Sequence, residues 1–204
     1  AVGAGTGLGI GFLVTLEGRH LALPSEGGHA DFGAFDEETA ALKDFVTAKL
    51  GAYPGSEQFV SGQGLVNIFA YLDQSGRYEA TPAVRQVRNA LEEDKPAAIS
   101  RHARGDRCCE DAMRLFVRMY GKVASNAALT VLPTAGVYLA GGIAAKNERW
   151  FVEEPTFMEA FERNYKASVR PFLRHCPVFI VKEDAVALYG AAHAAEQFLE
   201  EAGR

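Results

Sequence analysis

The residues best placed to do chemistry begin at the third position. Gly3-Ala4-Gly5-Thr6-Gly7-Leu8-Gly9 sets glycine at every second residue, with one threonine among them. Glycine brings no side chain to bury and is costly to order, so such a run has little use inside a core. What it permits is close approach: bare backbone N–H groups can converge on an anion, most often phosphate. Ile10, Phe12, Leu13 and Val14 follow directly. This predicts a strand–turn–strand hairpin whose turn faces a phosphate; the plainer reading is a hairpin turn with no ligand. The spacing differs from the dinucleotide fingerprint, and no Gly-Lys-Ser/Thr follows as in a P-loop. A second signal is the apolar strand Gly136-Val137-Tyr138-Leu139-Ala140 running into Gly141-Gly142, a nucleotide-facing arrangement that is weak on its own. Between the two, Ser25-Glu26-Gly27-Gly28-His29-Ala30-Asp31-Phe32-Gly33 interleaves ionisable residues with glycine. Polar surface loops of this kind host sites more often than cores do.

Regular elements must hold these loops. Asp36 is placed to cap a helix with Glu37 and Glu38 in its first turn, an apolar stripe of Leu42, Phe45, Val46 and Leu50, and Gly51 at its end. A second helix starts near Ser61-Gly62-Gln63-Gly64 and carries Leu65, Ile68, Phe69 and Leu72. Thr81 caps a third, with Pro82 at its first position and Val84, Val87 and Leu91 facing inward. Asp106 opens the longest, whose period runs through Ala112, Leu115, Phe116, Met119, Val123 and Ala127. Short strands are expected over 20–24 and 178–181. The latter leads into the acidic loop Lys182-Glu183-Asp184, and a closing helix over about 185–200 carries Leu188, Ala192, Ala195 and Phe198. Strands alternating with helices, and ending in glycine turns, argue for an α/β sheet with helical cover and a ligand crevice at the strand ends.

The 204 residues suffice for one substantial core, and 48% hydrophobic with 23% charged residues is an ordinary globular composition. A net charge of -5 with no basic tract argues against nucleic acid as the main partner. Cys108, Cys109 and Cys176 form no C-x-x-C pair, so neither a zinc site nor a disulfide framework is indicated, and reduced thiols are expected. The most apolar stretch, 131–145, contains Pro133 and glycines and is too short to span a bilayer. Only Ala1 and Val2 precede the glycine turn, fewer than the five or so residues of a usual strand, which leads us to expect that an N-terminal portion has been removed.

Five segments occur in one order: Gly5-Thr6-Gly7-Leu8-Gly9; Glu26-Gly27-Gly28-His29 with Asp31-Phe32; Ser56-Glu57 ahead of Val60-Ser61-Gly62; Leu65-Val66-Asn67; and Val137-Tyr138-Leu139-Ala140-Gly141-Gly142-Ile143. Their order and spacing resemble the bacterial glucokinase family of the sugar-kinase/actin-like ATPase superfamily. The resemblance extends from residue 1 to the last helix. No zinc-binding cysteine cluster of the related ROK branch is present. The resemblance implies an α/β, ribonuclease H-like/actin-like ATPase large domain over 1–184, a mixed sheet with helical cover. Residues 185–204 would form a closing helix that packs on a small N-terminal domain missing here. It further implies that Gly5, Thr6 and Gly7 meet ATP phosphates, that Gly141 and Gly142 let adenosine lie against the backbone, and that Glu26, His29 and Glu57 bind D-glucose. The chemistry suits a hexose, whose adjacent hydroxyls can be paired by carboxylates and an imidazole. A site built to pair hydroxyls rejects analogues lacking them. Plainer readings stand beside each: Glu26 as a solvated loop acid, His29 as a structural histidine, Glu57 as a charge at a helix start. His20, His102, His175 and His193 match no motif.

In that family an N-terminal domain supplies an Asp-x-Gly-Gly-Thr-like phosphate segment, which organises Mg²⁺, and an Asn-Asp pair whose aspartate is the general base. Neither motif occurs in these 204 residues. The resemblance therefore assigns no catalytic residue and no metal ligand to this chain, and places the base N-terminal to Ala1. The implied reaction is ATP- and Mg²⁺-dependent phosphorylation of D-glucose to glucose 6-phosphate, in glycolysis, by a cytoplasmic homodimer with no nucleic-acid or membrane partner. Loss of a general base typically costs ~10²–10⁴ in rate, so little or no turnover is expected of this chain alone. A kinase for another hexose, a non-catalytic sugar-binding module and an actin-like structural ATPase are the alternatives; the sugar set argues against the last.

Overall fold

Four short strands open the chain: β1 (Val2–Ala4), β2 (Leu8–Ile10), β3 (Phe12–Leu16) and β4 (Arg19–Leu23). The computed structural model describes residues 1–183 and 185–202. Asp184 of the acidic loop and the last two residues of the expected closing segment lie outside the described residues. β1 and β2 pair antiparallel, Val2 opposite Ile10 and Ala4 opposite Leu8, so Gly5-Thr6-Gly7 is the turn between them. Ala1 and Gly11 exchange both backbone hydrogen bonds, 2.7 and 3.0 Å; β2 and β3 are thus one strand interrupted at Gly11. β5 (Val137–Ala140) lies parallel to the other edge of β1, and β6 (Val178–Ile180) parallel to β5. The resulting mixed sheet has the order β2-β1-β5-β6.

β3 and β4 leave this sheet as a two-stranded ribbon. Glu17 and Gly18 at its tip both have positive φ, 50° and 78°, the turn that matches the right-handed twist of paired strands. Phe12 opposes Leu23 and Val14 opposes Leu21 on one face with Leu16, while Thr15 and His20 share the other. Leu13, Val14, Leu16, Leu21 and Leu23 are exposed.

The helices are α1 (Glu37–Leu50), α2 (Gly62–Gln74), α3 (Pro82–Asn89), α4 (Lys95–His102), α5 (Arg107–Val131), α6 (Gly142–Lys146), α7 (Glu148–Val152), α8 (Thr156–Glu162), α9 (Arg170–His175) and α10 (Val186–Ala202). The expected caps are in place. Asp36 and Thr39 form a reciprocal capping box at α1, and Ser61, Thr81 and Asp106 accept from Gly64 N, Val84 N and Cys109 N. α5 is the central member, with Met113, Phe116, Met119 and Tyr120 fully buried against α2, α4 and α8. Strict alternation of strands and helices does not hold: four strands precede a run of five helices. Leu91, expected inward, is 65% exposed, because α3 stops at Asn89 and the backbone is extended at Ala90 and Leu91. Leu50 also points outward, at the last turn of α1.

All three cysteines are unpaired and buried. Burial, reinforced by the charges of Asp73 and Asp106, pushes the Cys108 thiol up to about 12. On α10, Leu188, Tyr189, Phe198 and Leu199 are exposed. Among the described residues no helix is long and apolar enough to cross a membrane.

Tyr120 fixes β1 to this helical layer. Its O–H donates to Val2 O (2.8 Å) and its oxygen accepts from Ala4 N (3.3 Å), inside a cage of Phe116, Phe151 and Phe157 rings. Burial raises its phenol above the ordinary range. Tyr120→Phe removes the hydrogen bonds that tie β1 to α5 and is expected to lower the urea-unfolding free energy by ~0.5–1.5 kcal/mol. A second expectation concerns acid. Burial works to raise the Asp106 carboxyl, but hydrogen bonds from Thr81 and Cys109 outweigh it; for Asp36, Thr39 and Arg118 likewise outweigh burial, so both carboxyls sit low. A depressed carboxyl stabilises above its unfolded value and loses that contribution as pH falls through the folded one. The stability supplied by these two caps is complete at neutral pH and declines below the ordinary value of 3.8. In urea titrations repeated down the pH scale, Asp106→Asn, which keeps a capping oxygen, is expected to show a shallower acid decline.

Candidate functional site

Because β1 and β5 are parallel neighbours, with Gly3 opposite Ala140, their C-terminal turns emerge side by side. One turn is Gly5-Thr6-Gly7 and the other Gly141-Gly142. Gly141 is required twice over: its φ is +85°, and a Cβ there would stand 2.4 Å from Ala4 O. Apart from Gly7, where a Cβ would stand 2.6 Å from Glu57 Oε2, the rest of the paired turns is open. Nothing lies within 4 Å of a Cβ built on Gly5, Thr6 is exposed, and the nearest atoms to one on Gly142 belong to the Lys146 side chain at 3.7 Å. The uncrowded backbone of these positions and the Lys146 cation face an incoming anion, although Gly5 N already donates to Gly7 O at 2.9 Å.

The ionisable groups come from two 3₁₀ turns, Gly27–His29 and Ser56–Gln58. The first is set by Gly27 N donating to Ser25 Oγ and His29 N to Glu26 O, both 2.9 Å. It lies so close to β2 that a Cβ on Gly28 would fall 1.9 Å from Leu8 O. The two turns are joined by an Asp31–Gly55 bridge and by Ser56, whose N–H donates to Ala30 O at 2.8 Å. This joint brings Glu26, His29 and Glu57 together: His29 Nε2 is 3.7 Å from Glu26 Oε2, and His29 Nδ1 is 4.0 Å from Glu57 Oε1. The other Glu57 oxygen accepts from Leu8 N at 2.9 Å. Glu26 and His29 side chains are 91% and 64% exposed, that of Glu57 only 27%. Two carboxylates and an imidazole thus share one open rim that abuts the glycine turn through Leu8. Such a set can accept from, and donate to, neighbouring hydroxyls of a polyol.

Sequence reasoning gave no role to Asn67, which proves to be a buried latch. Its amide donates to Gln58 O (2.9 Å) and accepts from Lys49 Nζ (2.9 Å), tying the Glu57 turn to α2 and α1. Asn67 lies on the helix face opposite Leu65, Ile68, Phe69 and Leu72, where the periodicity of α2 gave no signal of burial. Ser61 adds to this by donating to Glu57 O at 2.7 Å. A cavity of about 600 Å³ shares no residue with the rim; in its lining Tyr78 O–H donates to Asp111 and Thr81 Oγ1 to Asp106.

The glucokinase family model matches residues 1–198. The chain belongs to the glucokinase family. It is 38% identical over 203 residues to a glucokinase of Nostoc sp., covering 94% of this chain and 58% of that relative. Among solved structures, a glucokinase from an Antarctic psychrotroph superposes with a TM-score of 0.78 at 24% identity, over 96% of this chain and 57% of that one. A ROK family glucokinase from Streptomyces griseus, solved with glucose and AMPPNP, gives 0.68 at 21% identity, over 96% and 59%. The α/β fold with its mixed sheet is therefore that of glucokinases and ROK sugar kinases. This glucokinase-family chain spans just over half the length of the curated relative it matches.

The Gly28 contact yields a direct expectation. Gly28→Ala forces the Gly27–His29 turn off Leu8, and overpacking against backbone is expected to cost ~1–3 kcal/mol or more. Urea unfolding would report the loss, and a structure of the variant would show His29 withdrawn from Glu57.

Proposed function

We propose that this chain is the sugar- and nucleotide-binding part of an ATP-dependent glucokinase, which converts D-glucose and ATP to glucose 6-phosphate and ADP. The observation that carries this reading is the meeting of Glu26, His29 and Glu57 on one rim beside the glycine turn, in a chain of the glucokinase family. In this reading Glu26 and Glu57 accept hydrogen bonds from adjacent hexose hydroxyls, and His29 donates or accepts at a third. Their joint geometry orients the hydroxyl to be phosphorylated, and positioning is the main requirement of phosphoryl transfer. Gly5, Thr6, Gly7, Gly141 and Gly142 hold ATP. Of these, Gly5, Thr6 and Gly142 offer the open face, while Gly7 and Gly141 let the chain approach itself closely enough to form it.

ATP supplies the phosphoryl group, and Mg²⁺ neutralises phosphate charge. Among the described residues no group of three or more His, Cys, Asp or Glu is placed to hold a metal ion; in this reading Mg²⁺ arrives on the nucleotide phosphates. No general base is assigned here; we read it as supplied from outside this sequence. The division into a large domain over 1–184 and a closing helix over 185–204 belongs to the same reading, as do the homodimer, the cytoplasmic location and the place in glycolysis. Exposed Leu188, Phe198 and Leu199 support a covering partner for that helix. The openness of the rim, with Glu26 91% exposed, favours sugar binding without turnover by the chain alone, because water is not excluded.

Calorimetric titration of D-glucose into the chain tests the sugar site. Binding weakened ~10–100-fold by His29→Ala or Glu57→Ala is expected, the size of one or two lost hydrogen bonds to a charged group. Absence of heat at millimolar glucose, or stronger binding of mannose or fructose, would overturn the assignment to glucose. Gly5→Ala has free space for its methyl; unchanged folding stability with weakened Mg–AMPPNP binding is expected, whereas unchanged nucleotide affinity would remove the turn from the nucleotide site.

A further inference from the structure

Glu57 is divided between two tasks. Its Oε1 faces His29 on the rim, whereas Oε2 accepts from Leu8 N, the first amide after the Gly5-Thr6-Gly7 turn. The fit around Oε2 is close. A Cβ on Gly7 would stand 2.6 Å from it, so the turn carries glycine here to admit the carboxylate. Gly7 is not among the glycines with positive φ, so backbone conformation does not demand glycine at this position. Two further contacts fasten the same turn to the same loops. Leu8 O abuts Gly28, which lies between Glu26 and His29. Gly5 O accepts from Gly62 N at 2.8 Å, next to Ser61, whose hydroxyl donates to Glu57 O. Both ends of the turn are thereby held by the segments that carry the three polar side chains.

We propose that Glu57 is a positioning residue that couples the two half-sites: one carboxylate oxygen engages the sugar while the other sets the shape of the nucleotide-facing turn. The inference rests on reading Glu26, His29 and Glu57 as sugar ligands and the glycine turn as the phosphate contact. A sugar on Oε1 fixes the carboxylate plane, and hence the direction from which Oε2 meets Leu8 N–H. The turn is then pre-shaped before the nucleotide arrives. Linkage requires the reverse as well, so nucleotide binding tightens sugar binding by the same factor.

The test uses the 204-residue chain, D-glucose and Mg–AMPPNP. In ¹H–¹⁵N spectra the Leu8 amide, held by a carboxylate, is expected to move upfield and exchange faster in Glu57→Ala, while Glu57→Gln, which retains an acceptor, restores much of its position. Amides of α5 serve as the check on folding. Glucose is expected to tighten AMPPNP binding roughly fivefold or more. Gly7→Ala, which displaces Oε2 and leaves all three polar side chains present, is expected to reduce that factor to within about twofold while glucose still binds. A Leu8 amide indifferent to Glu57→Ala overturns the clasp. Coupling undiminished in Gly7→Ala overturns Glu57 as its carrier. If Glu57→Ala does not fold, the Leu8 amide in Gly7→Ala decides the same point. Failure of glucose to bind the parent chain refutes the sugar reading and the coupling together, and the Leu8 amide then still decides whether Glu57 holds the turn.

Discussion

The Tyr120 hydroxyl meets β1 at two atoms, Val2 O and Ala4 N, and its ring packs edge-on against Phe116, Phe151 and Phe157. A three-residue strand has little hold of its own. β1 is kept straight by ladders on both edges and by this buried phenol behind it. A polar group so deeply enclosed is satisfied only when β1 lies in register, and leaving it unpaired costs more than an ordinary hydrogen bond returns. The glycine turn starts where β1 ends, the Gly141 turn leans on Ala4 O, and the Gly27–His29 turn leans on Leu8 O across the hairpin. Displacement of β1 would therefore move every loop of the candidate site at once.

Much of this arrangement was legible in the sequence, for identifiable reasons. Asp36, Ser61, Thr81 and Asp106 declared helix starts because an acceptor side chain ahead of an apolar stripe has one dominant use. The glycine hairpin declared itself by alternation. The short helices α4 and α6 to α9 did not, since segments of five to eight residues hold too few turns for a period to emerge and these, unlike the eight-residue α3, have no side-chain cap. Leu91 deceived because periodicity continues past the point where the backbone leaves the helix. Membership of the family was carried by the order of five segments, none of them decisive alone.

The site divides differently. That Glu57 would meet His29 could not come from spacing; it depends on the Asp31–Gly55 bridge and on Ser56 reaching Ala30, contacts between two irregular loops. The glycines posed a related problem. A glycine that makes room for a ligand and one that makes room for the chain itself look the same in a sequence. Here Gly5 and Gly142 are open while Gly7, Gly28 and Gly141 are filled by their own protein. Much of what reads as a ligand signature is thus a packing signature, and the two are inseparable physically, because the open face exists only where the filled positions allow the chain to come close.

The β3–β4 ribbon has a further implication. Its Glu17-Gly18 tip has the handedness that paired strands favour, and Val14 and Leu21 sit opposite one another in register beside Phe12 and Leu23. The chain surrenders the freedom of these residues while folding, not at some later encounter. An aliphatic shelf of fixed shape, already standing clear of the main sheet, adds little ordering entropy to any contact made upon it, and for the same reason it invites unselective adhesion when left bare.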